Sequence, residues 1–282
     1  MRNLLYKAKK VPNYLSKFGV LDGLRVFASI ERPVTQTSDK QYSSIALPGL
    51  DAPIHLRRTV ADHTAAWICL IAEQYSIDQF PQKDRLQATY ERMLREGRQP
   101  LIVDAGANIG MSALWYAKTY PEAKVFAVEP DRDNFQLLVE NTRAYEGRII
   151  PFRGGVWPHS THLAIENPEA GAQRFRTREA SQGSANSITA ITMDEILAQT
   201  GAEEILIAKI DIEGGQASLF AENTAWVGKA HLIVLELDDW QFPWTGSSRS
   251  FFSCVSRYPF EYLIDGENVF LFRDMEEQAD NP

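Results

Sequence analysis

The sequence predicts an α/β protein: a doubly wound, mostly parallel sheet of seven strands with an antiparallel C-terminal strand, preceded by a mainly helical N-terminal extension. Three observations carry that expectation. From residue 101 onward, short apolar runs alternate with stretches of helical periodicity, the pattern of strands joined by crossover helices. Ile205-Leu206-Ile207-Ala208 and Leu232-Ile233-Val234-Leu235 are apolar throughout, as parallel strands covered on both faces are. The first run, Leu101-Ile102-Val103, ends in an aspartate and a glycine-rich turn that opens a helix.

Taken in order, residues 1–30 are amphipathic and helical in pattern, with Leu4, Leu5, Tyr14, Leu15, Phe18, Val20 and Leu21 against Lys7, Lys9, Lys10 and Lys17. Pro12 and Gly19 interrupt that pattern. Such a segment either packs on the domain or lies as a basic helix on a membrane surface or partner. Residues 33–53 read as connection, 54–60 as a strand and 62–75 as a helix capped by Asp62; a further helix spans 84–96. Beyond the glycine turn, a helix carrying Met111, Leu114 and Trp115 stops at Pro121. Lys124–Val128 is the second strand, and Asp133–Tyr145 a helix with Phe135, Leu138, Val139 and Thr142 on one face. Arg148–Phe152 opens a third strand, and 161–165 with 173–178 form a hairpin-like excursion. Ile205–Asp211 and His231–Leu237 follow, then a terminal antiparallel pair, Tyr258–Ile264 and Val269–Phe272. The expected division is an extension and linker over 1–53, and one domain over 54–282 with its nucleotide-binding core at 101–237.

With 44% hydrophobic and 23% charged residues, the chain is excluded from the collagen, coiled-coil and disordered classes. A net charge of −8 with interspersed signs argues against a nucleic-acid partner. Two distant cysteines, Cys69 and Cys254, suggest a reduced, cytoplasmic setting rather than a disulfide framework. No run reaches the roughly 20 apolar residues of a membrane span, and the N-terminus does not read as a secretory signal.

The informative segment is Asp104-Ala105-Gly106-Ala107-Asn108-Ile109-Gly110, between strand and helix. Gly106 permits a tight turn and close approach of a ligand, and the helix start offers free N–H groups. A dinucleotide fingerprint would read G-x-G-x-x-G, but Asn108 occupies its second glycine, which weighs against NAD. The second strand ends Val128-Glu129-Pro130-Asp131, and an acidic residue there is placed to accept ribose hydroxyls. Singly, Asp104 could be a helix cap and Glu129 a solvated loop residue. Together, after two consecutive strands, they point to an adenosine-bearing ligand.

On these residues the chain resembles class I S-adenosylmethionine-dependent methyltransferases, and within them the FkbM family. The stretches that carry the resemblance are Val103–Gly110, Val128-Glu129-Pro130, Lys209-Ile210-Asp211-Ile212-Glu213-Gly214 and Val234-Leu235-Glu236-Leu237. The resemblance implies a Rossmann-like fold and methyl transfer to a hydroxyl of a sugar, glycan or natural-product acceptor. By position it implies Asp104, Ala105, Gly106, Asn108 and Gly110 along the methionine part, Glu129, Pro130 and Asp131 at the ribose, and Val156 and Trp157 near the adenine. Trp157 is equally readable as core. Asp238 stands where the family tends to carry a histidine.

For the transfer step, Asp211 and Glu213 at a strand end are the candidate bases, with Lys209 orienting them or the acceptor. A salt-bridged strand end is the alternative. Asp211, Glu236 and Asp238 could also gather around Mg²⁺. Residues 239–252, with Trp240, Phe242, Trp244 and Phe251, read as a lid, a stacking surface or core cover. The segment 54–67, with Arg57, Arg58, Thr59 and His63, could close the cleft from the N-terminal side, where Arg57 or Arg58 could meet an acidic acceptor or lie on the surface. Two other functions stay open: an NAD(P)-dependent oxidoreductase on a similar sheet, and a non-catalytic module that retains the fold.

Overall fold

The computed structural model describes residues 2–32, 42–165, 177–180, 187–212, 214–237, 239–241, 243–244 and 246–274. Of the sequence expectations, Glu213, Asp238 and Phe242 lie outside the described residues, as do most of the 173–178 strand and the first half of the 33–53 connection.

Seven strands form the expected sheet: β3 (Leu101–Ala105), β4 (Lys124–Glu129), β5 (Ile149–Val156), β9 (Ile205–Ile210), β10 (Ala230–Glu236), β11 (Phe260–Asp265) and β12 (Asn268–Arg273). Their spatial order is β11-β12-β10-β9-β3-β4-β5, and β12 is antiparallel to both neighbours. At the β5 edge the sheet continues through β8 (Ile188–Ile191), β6 (His162–Ile165) and β7 (Thr177–Ala180), giving ten strands. Of the three added strands, β6 matches the first part of the expected excursion and β7 overlaps the end of the second, whereas β8 was not expected and joins the excursion to β5.

Burial follows the pleat. Val125 and Ala127 of β4 face one apolar layer, and Phe126 and Val128 face the other. Helices α3 (Lys83–Arg95), α4 (Met111–Thr119) and α5 (Arg132–Thr142) supply buried residues to the first layer; α6 (Met193–Thr200), α7 (Gln216–Leu219) and α8 (Ser247–Val255) supply the second. Asp131 caps α5, its carboxylate accepting from the N–H groups of Asp133 and Asn134.

The N-terminal half differs from the local reading in four places. Tyr42–Ile45 (β1), inside the expected connection, pairs antiparallel with β2 (Ile54–Arg57) across residue 53. The cap of α2 (Val60–Ala66) is Thr59, whose hydroxyl accepts from the Asp62 N–H. Asp62 instead turns to Arg57, accepting from its guanidinium at 2.8 Å. The helix expected to reach residue 75 changes at Trp67–Ile71 into a π-turn. Finally, α1 (Arg2–Ile30) folds back on itself at Gly19, where φ is +74°. No helix among the described residues is long and apolar enough to cross a membrane.

Candidate active site

The site is built on the C-terminal tips of β3, β4, β9 and β10. Gly106, at φ +81°, begins the turn after β3. A Cβ there would lie 1.9 Å from the Asp211 carbonyl, so no other residue fits. Asn108 and Gly110 also take positive φ, and Asn141 of α5 braces the loop by donating to the Ile109 carbonyl at 2.8 Å.

Beneath the turn lies a buried ion network. Asp104 and Lys209 are register partners on neighbouring strands and share one face. The Lys209 ammonium is 3.0 Å from Asp104 Oδ1 and 3.4 Å from Asp211 Oδ2, and donates to the Gly106 carbonyl at 2.7 Å. Burial pulls the lysine pKa down, but the Asp104 and Asp211 charges outweigh it, so the ammonium stays protonated. Lys209 is therefore a cation that positions, not a base. The other Asp104 oxygen accepts from Ser112 at 2.6 Å. With both oxygens engaged and no exposed surface, Asp104 forms the floor under the turn and does not line the cavity.

Glu129 ends β4. Its Oε2 accepts from the Asn108 N–H and its Oε1 from the Asp131 N–H, both at 2.9 Å. Burial raises its pKa to about 7 against these hydrogen bonds. Asn134 Nδ2 also donates to Oε1, at 3.4 Å, so Oε2 is the oxygen that retains a lone pair for a further donor.

These residues open on a cavity of about 380 Å³, within the range of small-molecule sites. Of the residues singled out in the sequence, Gly106, Asn108, Glu129, Pro130, Val156, Lys209, Asp211 and Glu236 line it. Trp157 does not. It packs with Leu163, Ile188 and Ala190 and donates its indole N–H to Glu179, because the β5–β8 pairing turns it into a satellite core. Ala105 and Gly110 lie beside the cavity without lining it, and Asp131 is spent on capping. Arg57 is spent on Asp62 and Asn134. Phe251 is core, Trp244 points into solvent, and Trp240 alone of that described aromatic set reaches the cavity.

Thr64 and Ala65 of the expected 54–67 segment line the cavity, while Arg57, Arg58, Thr59 and His63 do not, and the rest of the far wall was not legible locally. Ile68, Cys69 and Tyr75, on and after the π-turn, roof the cavity, and Glu267 of the β11–β12 turn joins Glu236 beside Asp211. Burial, then the Asp211 and Glu267 charges, push Glu236 up to about 7. No group of three His, Cys, Asp or Glu among the described residues could hold a metal ion, so nothing supports the Mg²⁺ expectation.

An open parallel sheet with a glycine turn on one strand tip and a carboxylate on the next is the architecture of a nucleoside-binding α/β protein. The Methyltransferase FkbM domain family matches residues 104–262. The chain belongs to the FkbM methyltransferase family. It is 28% identical to the hexuronic acid methyltransferase AglP of Haloferax volcanii, over 51% of this chain and 59% of that one. It is 26% identical to the AMB antimetabolite synthetase AmbE of Pseudomonas aeruginosa, over 49% of this chain and 8% of that one. The chain therefore spans less than two thirds of the curated relatives it matches. Among solved structures, the FkbM methyltransferase of Methylobacillus flagellatus matches 62% of this chain and 43% of its own at 18% identity, with a TM-score of 0.44.

Proposed function

We propose that the protein is an S-adenosylmethionine-dependent O-methyltransferase acting on a hydroxyl of a sugar, glycan or natural-product acceptor. The observation that carries the reading is Glu129: a carboxylate at the β4 tip, held by two backbone N–H groups, lining a cavity against the Gly106 turn.

The residues fit such a donor. Glu129 would accept the ribose hydroxyls beside Pro130, one on the free lone pair of Oε2 and the other on Oε1 in exchange for the long Asn134 hydrogen bond. Gly106, without a side chain, lets the amino-acid portion approach the turn closely, its N–H and those of Ala107 and Asn108 being held by Val128 and Glu129, and Gly155 and Val156 offer an apolar edge for the base. When bound, the donor supplies an electrophilic methyl carbon on a sulfonium. Asp211, fixed through Lys209, orients the acceptor at the β9 tip. Glu236, on the adjacent tip with a pKa near 7, takes the hydroxyl proton; a base of that strength is worth about 10²–10⁴-fold in rate. The name of AglP specifies a hexuronic acid, which supports a sugar-like acceptor here.

The test is calorimetry with S-adenosylhomocysteine. The native protein is expected to bind in the micromolar range. Glu129→Ala is expected to weaken binding by about 1–3 kcal/mol through the lost ribose hydrogen bonds. Equal affinity in the two proteins, or none in either, would overturn the reading.

A further inference from the structure

The charge balance of the acceptor end is unusual for a site that would handle an acidic sugar. Among the described residues, four carboxylates line the cavity: Glu129 at the donor end, and Asp211, Glu236 and Glu267 together at the other. Among the described lining residues Lys209 is the one cation, and it has nothing to spare. Its ammonium serves Asp104 at 3.0 Å, Asp211 at 3.4 Å and the Gly106 carbonyl at 2.7 Å, and it is 2% exposed. Glu236 hydrogen-bonds Glu267 and feels the Asp211 charge, and burial strengthens that repulsion.

Such a wall repels an anion brought beside it. It attracts donors, because an ionised carboxylate only accepts hydrogen bonds. Trp240 completes the subsite: it lines the same cavity, is 63% exposed, and presents an indole to the rim. An indole face accommodates the C–H face of a sugar ring and also favours an ammonium group.

We propose that the acceptor is an uncharged or amine-bearing polyol, carrying no carboxylate or phosphate beside the hydroxyl that is methylated, selected by Glu236, Glu267 and Trp240. This rests on the methyltransferase reading above and adds the charge of the substrate, which sets this chain apart from a relative named for a hexuronic acid.

The experiment is transfer of a labelled methyl group at pH 8 to matched p-nitrophenyl glycosides in gluco, galacto and manno configurations: the neutral glycoside, the 2-amino glycoside and the uronide. S-adenosylhomocysteine calorimetry runs in parallel. The best neutral or amino glycoside is expected to exceed every uronide by about tenfold or more in kcat/KM. Glu267→Lys, at an exposed turn, is expected to narrow that gap about fivefold or more, with S-adenosylhomocysteine affinity within about twofold of native. A uronide that matches or exceeds the others, a gap that Glu267→Lys leaves unchanged, or turnover of no glycoside by protein that binds S-adenosylhomocysteine would each overturn the proposal. Failure of the native protein to bind S-adenosylhomocysteine would instead overturn the methyl-donor reading.

Discussion

Lys209 shows how one residue ties the floor of the site together. It is a lysine near the C-terminal end of a buried parallel strand, where a long apolar stem packs readily but an ammonium needs partners. Asp104 provides the first, Asp211 the second, and the carbonyl of Gly106 the third, so turn, strand tip and carboxylates are held in one geometry. Removing the cation leaves Asp104 as a fully buried charge with no counter-ion. Lys209→Met is expected to cost about 3–5 kcal/mol in urea unfolding, and adding Asp104→Asn in the same chain to recover about half of that. A loss below about 1 kcal/mol for the single change would contradict this account. The i, i+2 spacing of Lys209 and Asp211 was readable locally, since alternation in a strand puts both on one face. That the lysine is spent on Asp104 was not, because the partner lies on a neighbouring strand far away in sequence.

At the scale of elements, the N-terminal hairpin matters because of what it presses on. The two arms of α1 pack closely enough that a Cβ on Gly23 would sit 2.7 Å from the Tyr14 carbonyl. The Tyr14 ring lies 5.2 Å from that of Trp67, and the Lys10 ammonium 4.5 Å from it, at the start of the π-turn. Lys17 pairs with Glu73, which also accepts from the Trp115 indole at 3.0 Å. Ile68, Cys69 and Tyr75 of this braced segment roof the cavity. The hairpin thus holds the roof of the candidate donor site. Lys17→Ala is expected to speed amide exchange over residues 67–75 and to raise the S-adenosylhomocysteine dissociation rate about two- to fivefold, the worth of a partly exposed ion pair. Unchanged exchange would show the roof to be held by ring packing alone. In the sequence, Pro12 and Gly19 already marked α1 as interrupted, but the choice between packing on the domain and lying on another surface needed the contacts with Trp67 and Glu73.

For the whole molecule, charge at the two ends of the sheet sets the response to pH. At the end opposite the cavity, the His231 imidazole 3.4 Å away and the nearby Arg98 guanidinium outweigh burial and hold Glu204 down at about 2. A depressed carboxylate stabilises the fold above its unfolded value of 4.5, and that gain is lost as pH falls towards 2. Glu129 and Glu236 act in the opposite sense. With folded values raised from 4.5 to about 7, they bind protons more tightly in the native state, an advantage present below 4.5 and lost as pH rises through 7. The ligand-free melting temperature is therefore expected to peak near about pH 5 and fall on both sides. A melting series in matched buffers checks this, and Glu129→Gln is expected to flatten the alkaline side; a peak above about pH 7 would refute it.

The parallel sheet, the glycine turn, Glu129 and Asp211 were legible from the chain alone, because each depends on signals a few residues apart: apolar runs, a turn that only glycine permits, and carboxylates at strand ends. The acceptor wall was not. Glu267 reaches Glu236 only because β12 inserts between β10 and β11, the roof comes from a π-turn held by the N-terminal hairpin, and Trp157 turns inward because β8 pairs with β5. Those placements follow from long-range strand order and burial, which act between residues that local periodicity does not connect.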